Sequence, residues 1–129
     1  MNAEQECLQD NRKRSRVSIN LSVVVSCANN QIRTQTKNVS LKGLLCFPHP
    51  SLQEEQICDV TIWLSEEVVI EVQGKVVRTT KDGTAIDFSK MSVESFSHLY
   101  NLVRLNSRDP DKLDREFQYP AFVEQDREN

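Results

Sequence analysis

From Val17 the chain alternates by twos. Val17, Ile19, Leu21, Val23 and Val25 share one side, while Ser18, Asn20, Ser22 and Ser26 share the other. That period predicts a long strand with one buried face. Ala28-Asn29-Asn30 then reads as a hairpin turn, because Asn tolerates the left-handed backbone that such turns use. From Gln31 to Lys37 a second strand sets Ile32, Thr34 and Thr36 against Gln31, Arg33, Gln35 and Lys37. Leu44 to Phe47 makes a third, buried strand stopped by Pro48-His49-Pro50. Cys58, Val60, Ile62 and Leu64 give the inward face of a fourth, with Trp63 outward. Val68, Ile70, Val72 and Val76 give that of a fifth, where Gly74 marks a bulge or tight bend. After the Asp82-Gly83 turn, Thr84, Ile86 and Phe88 form the inward face of a sixth.

The period changes at Ser92. With Ser92 as N-cap and Glu94 in the first turn, apolar residues at Val93, Phe96, Leu99, Tyr100, Leu102 and Val103 follow helical spacing. Asp109-Pro110 starts a shorter helix carrying Leu113 and Phe117, Pro120 marks its end, and the charged residues that follow are expected to fray. Six strands joined by hairpin signals and followed by a packed helix predict a mostly β fold: a six-stranded antiparallel β-barrel with a C-terminal packing helix and a short extra helix. The organisation expected is a flexible lead over residues 1–11, one domain over 12–106, and a helix with a tail over 107–129.

Composition narrows the function classes. At 129 residues, 27% charged and 38% hydrophobic, the chain is sized and balanced as one globular domain. No run approaches the ~20 apolar residues of a membrane helix, and Met1 to Cys7 lacks the basic and apolar parts of a secretion signal, so no membrane insertion and a cytoplasmic location are expected. Cys7, Cys27, Cys46 and Cys58 are scattered, without a Cys-x-x-Cys pair, and three of them fall in apolar strand runs; they read as small hydrophobes in a reducing compartment. A net charge of -3 argues against general nucleic-acid binding. Glycine-rich phosphate loop, nucleophile elbow, metal triad and acid/base pair are all missing from the sequence, so an enzyme is not expected. His49, between two prolines, reads as a solvated loop residue, and His98, on the amphipathic helix, as a helix-surface or packing histidine.

Two stretches remain. Arg12-Lys13-Arg14-Ser15-Arg16 is a local cationic arm, with Arg-x-x-x-Arg immediately before the first strand, on an otherwise acidic chain. Asn38-Val39-Ser40-Leu41-Lys42-Gly43 follows the second strand as a polar corner. Asn and Ser close local hydrogen-bonded turns, and Gly admits close approach of another group. Each motif alone reads as ordinary surface chain. Together, in this order on six strands and a helix, they resemble the PilZ domain family over roughly Arg12 to Asn106, and the C-terminal region resembles that of stand-alone members.

The resemblance implies a receptor for the bacterial second messenger cyclic di-GMP, with no other cofactor. Arginine's planar fork suits both chemistries of that ligand, phosphate oxygens and the O6/N7 edge of guanine. It assigns Arg12 and Arg16 to guanine-edge and phosphate contacts, Asn38 and Ser40 to the other guanine and the sugar-phosphate, and Gly43 to leaving room for the base. Lys13, Arg14 and Arg78 are secondary candidates. Many members carry Asp where Asn38 stands, and members that bind a stacked nucleotide dimer often carry a basic residue where Asn11 stands. A stacking aromatic expected near the end of the fifth strand is replaced by Val77 and Arg78, whose guanidinium can stack instead. The implied role is a ligand-gated adaptor for a partner protein in motility, pili, biofilm or exopolysaccharide control; the alternative is a nucleotide-free adaptor in type IV pilus assembly. The mechanism expected is an arm that is disordered when free and folds over a preformed corner.

Overall fold

The computed structural model describes residues 16–115 and 120–124. Its strands are β1 (Arg16–Val17), β2 (Ser22–Cys27), β3 (Asn30–Ser40), β4 (Gly43–Cys46), β5 (Ile57–Trp63), β6 (Val69–Thr80), β7 (Gly83–Ser92) and β8 (Val123–Glu124); α1 (Val93–Leu105) and α2 (Pro110–Arg115) lie between β7 and β8. The order β3-β2-β5-β6-β7-β4, closed by pairing of β4 with β3, makes the predicted six-stranded antiparallel barrel. Closure leaves these six strands no free edge. The inward residues follow the alternation: Val23 and Val25, Val60 and Ile62, Ile70 and Val76, and Ile86 are all at most 1% exposed.

α1 packs against β6 and β7. Ser92 caps it, its Oγ accepting from Ser95 N at 3.1 Å, and Phe96, Leu99 and Val103 bury the apolar stripe. Fully burying such side chains stabilises by about 1.5–3 kcal/mol each. Ser95, on the same face, accepts a hydrogen bond at its Oγ from Glu71 N of β6 at 3.1 Å, which fixes the helix against the sheet.

The structure departs from the predicted elements where single residues break the two-residue period. The expected strand from Val17 to Ser26 is interrupted at residues 18–21. Arg16 and Val17 pair with Ser40 and Val39, but Ser22 pairs with Gln35, so the register with β3 steps by one. The fully buried Thr36 organises that break: its Oγ1 donates to Ile19 O at 2.6 Å and accepts from Leu21 N at 2.9 Å, while Asn20 Nδ2 donates to Thr36 O at 2.7 Å. The first hairpin turn is Ala28-Asn29, and its left-handed residue is Ala28, φ 50°, rather than an asparagine. Gly74 does sit at a register shift, yet the extra residue is Ser89 on β7, whose Oγ donates to Gln73 O at 3.1 Å. The chain after Pro120 also has a fixed place: Val123 and Glu124 pair in parallel with Met91 and Ser92, and Phe122 meets Phe88 edge to face at 6.4 Å. Phe117 lies outside the described residues.

Candidate functional site

Two β-bulges decide which side chains reach the outer surface beside α1's barrel. On β3, Ile32 and Thr36 point inward, and continued alternation would send Asn38 and Ser40 inward as well. The register shifts between Thr36 and Asn38, with Lys37 as the extra residue, so Val39 turns into the core while Asn38, half-buried, and Ser40, buried at the turn, point the other way. On β6, Val72 and Val76 are inside and Arg78 would follow them. A shift between Val76 and Arg78, with Val77 extra, places Arg78 opposite Ala85 and exposes it. A single inserted residue re-aims every side chain beyond it.

The chain from Asn38 to Gly43 is therefore mostly strand, not corner: β3 runs through Ser40, and only Leu41 and Lys42 turn. Ser40, 6% exposed, shapes that turn, its Oγ donating to Gly43 O at 3.1 Å and accepting from Lys42 N at 3.3 Å. Lys42 O in turn accepts from Phe88 N at 2.9 Å, pinning the turn to β7. Gly43 begins β4 opposite Asp87. A Cβ there would stand 2.6 Å from Ile86 O, so the glycine is already required by the approach of β7.

These elements frame a cleft of about 240 Å³ between β1, the β3–β4 turn, β6 and β7. Arg16, Lys42 and Arg78 bring three cations to it from three separate elements, beside Ser40 and Gly43. Asp87 and Phe122 complete the wall. Of the residues predicted from sequence, Arg16, Ser40, Gly43 and Arg78 thus converge. Asn38 stands two positions before Ser40 and directly opposite Leu45, which lines the cleft; cross-strand partners share a face, so Asn38 borders the cleft without being one of its lining residues. Arg12, Lys13 and Arg14 lie outside the described residues. Arg16 itself is held in β1 by pairing with Ser40, so the last residue of the arm is part of the sheet.

Sequence reasoning missed Lys42, Asp87 and Phe122. Lys42 was legible, sitting between Ser40 and Gly43 within the motif. Asp87 is brought in by register, and Phe122 by a tail that its charged neighbours disguised. His49 has a local job, its Nδ1 accepting from Ser51 N at 3.0 Å in the loop. A larger hollow of about 630 Å³ lies over β2, β3 and β5 around Trp63 and Thr61, but Arg33 is its one charged lining residue. The cationic convergence is at the β1–β4–β6–β7 cleft. No helix among the described residues is long and apolar enough to cross a membrane.

A barrel of this topology with a cationic cleft at the mouth of its β3–β4 turn defines a small binding domain. The sequence profile of the PilZ domain matches residues 10–105, and the chain belongs to that family. Solved structures share the fold. The PilZ domain of YcgR from Escherichia coli, determined with c-di-GMP, superposes with a TM-score of 0.62 at 15% identity, over 82% of this chain and 98% of that one. The Bacillus subtilis inhibitor of motility MotI/DgrA gives 0.61 at 22% identity over 75% of this chain; the match spans 52% of that protein, about half its length. A PilZ domain of CeSA from a cellulose-synthesizing bacterium gives 0.58 at 14% identity, over 69% of this chain and 94% of that one. No curated protein matches the chain by sequence.

Proposed function

We propose that this chain is a receptor for cyclic di-GMP that works as a ligand-gated adaptor, not as an enzyme. The observation that carries the reading is the convergence of Arg16, Lys42 and Arg78 on one cleft beside the Ser40–Gly43 turn. Three fixed cations suit a ligand with two phosphates, and the two guanidinium groups can also pair with a guanine O6/N7 edge or stack on its face. Arg16 is held there by pairing with Ser40, and Arg78 is turned there by a bulge in β6. Family membership supports the reading, as does the likeness to a YcgR domain determined with this nucleotide.

The arm contributes by reach. Four residues separate Arg12 from Arg16, which is anchored at the cleft, a length of chain that spans at most about 14 Å and so keeps the cleft within reach. Ser40 acts mainly by holding the turn, since its proton is committed to Gly43 O. Asn38 reaches a base from the bordering strand, and occupancy of the cleft joins the arm, the β3–β4 turn, β7 and the C-terminal segment into one surface for a partner protein to read.

Calorimetric titration tests this. Cyclic di-GMP should bind with a Kd in the micromolar range or tighter, and Arg16→Ala should weaken binding at least about thirtyfold, the loss of roughly 2 kcal/mol in charge-assisted contacts. Absence of binding by the unaltered protein, or an unchanged Kd in Arg16→Ala, would refute the assignment.

A further inference from the structure

We propose that Asp87 is a specificity residue of the cleft, accepting the Watson–Crick-edge N–H groups of a guanine and so excluding adenine; this rests on the cyclic di-GMP reading above. The residue is a single carboxylate among Arg16, Lys42 and Arg78. For a cleft that bound only phosphate, a negative charge in its wall would weaken binding by repulsion. Asp87 is exposed, and among the described residues no ion pair holds it. Lys75 stands directly opposite it on β6, but Lys75 Nζ bonds Glu55 Oε1 at 2.8 Å.

Its position is set by the glycine. Asp87 pairs with Gly43, and its Oδ1 lies 3.3 Å from the point a Gly43 Cβ would occupy, so the carboxylate hangs over the bare backbone where the β3–β4 turn enters the cleft. An ionised carboxylate only accepts hydrogen bonds, through two oxygens. Guanine offers two adjacent donors on that edge, N1–H and the N2 amino group, and can satisfy both oxygens at once. Adenine offers a lone pair at N1 and nothing at C2, so the same carboxylate would face an acceptor. Asn38 presents no charge from its bordering position; the acid that reads the base comes instead from β7. A site built to hydrogen-bond a donor rejects the analogue that lacks it far more strongly than a pocket that reads shape.

The test is a matched pair of titrations, with cyclic di-GMP and cyclic di-AMP, on the full chain and on Asp87→Ala and Asp87→Asn. Asp87→Ala should weaken cyclic di-GMP binding tenfold or more while leaving cyclic di-AMP unchanged or tighter, so the ratio of the two affinities collapses. Asp87→Asn, which keeps one acceptor and loses the charge, should fall between. Thermal midpoints should match the unaltered protein, because the side chain is exposed and no ion pair among the described residues holds it. If the unaltered protein binds cyclic di-GMP but Asp87→Ala keeps its affinity ratio, or both nucleotides tighten by the same factor, Asp87 only tunes the potential and the inference is wrong. Failure of the unaltered protein to bind cyclic di-GMP would instead overturn the parent reading, and this one with it.

Discussion

Gly43 shows how a residue that looks like part of a binding motif can be demanded by packing. Its backbone is not in a left-handed conformation; what it lacks is room, with Ile86 O only 2.6 Å from the site of a Cβ. Backbone cannot step aside as a flexible side chain does. Gly43→Ala should therefore destabilise the free protein by about 1–3 kcal/mol, the usual cost of overpacking, and lower the thermal midpoint by several degrees. A midpoint unchanged in the variant would show that the strands relax freely there. The sequence marked Gly43 as notable, but its reason depends on how close β7 comes, which no local pattern encodes. Ala28 is the converse case. Asn29 and Asn30 drew attention as the turn formers, yet the positive φ falls on an alanine, because the register of β2 with β3 fixes which residue occupies the first turn position.

Among the elements, the strands were legible and their irregularities were not. Val23, Val25, Val60, Ile62, Ile70, Val72 and Ile86 announce their facing by alternation alone, and Ser92 announces the helix start. A bulge leaves a fainter trace, a pair such as Val76-Val77 where alternation should have continued. With Val77 bulged, Arg78 lies opposite Ala85 and faces the cleft; in regular alternation with Val77 kept it would face the core. Arg78→Ala should therefore weaken cyclic di-GMP binding by about tenfold, the loss of one charge-assisted contact, while the thermal midpoint stays where it is because the side chain is exposed. Near-unaltered binding by the variant would mean that the bulge does not aim Arg78 at the ligand. The C-terminal segment was illegible for a different reason: it meets β7 through Met91 N donating to Phe122 O at 3.2 Å, a contact 31 positions removed in sequence that no periodicity could signal.

For the whole molecule, the barrel's interior sets a pH limit that has nothing to do with the cleft. Burial pushes the Cys58 thiol up to about 12, with the neighbouring Cys27 acting in the same direction, and burial pushes Cys46 up to about 11. The folded state thus holds these protons more tightly than the unfolded chain, whose thiols ionise near 9.0. Their contribution is complete below about pH 9 and is lost as pH rises through the folded values. The thermal midpoint should accordingly fall steadily from about pH 9 upward, and Cys58→Val should make that slope shallower; an equal slope would place the alkaline sensitivity elsewhere. The six-stranded closure was readable because it follows from six amphipathic runs that cannot leave their edges bare. The cleft was readable in part, through Arg16, Ser40, Gly43 and Arg78. The remainder depends on long-range register: the facing of Arg78 by a bulge, Asp87 by pairing with Gly43, Phe122 by the returning tail. Amide chemical-shift mapping during titration with cyclic di-GMP tests the central claim most directly, because it reads ligand and location together. Shifts should gather at Arg16 and Val17, Ser40 to Leu45, Arg78, Ala85 to Phe88 and Phe122, and saturate at micromolar concentrations. Shifts gathered instead around Trp63 and Arg33 over β2, β3 and β5, or no shifts at all, would contradict it.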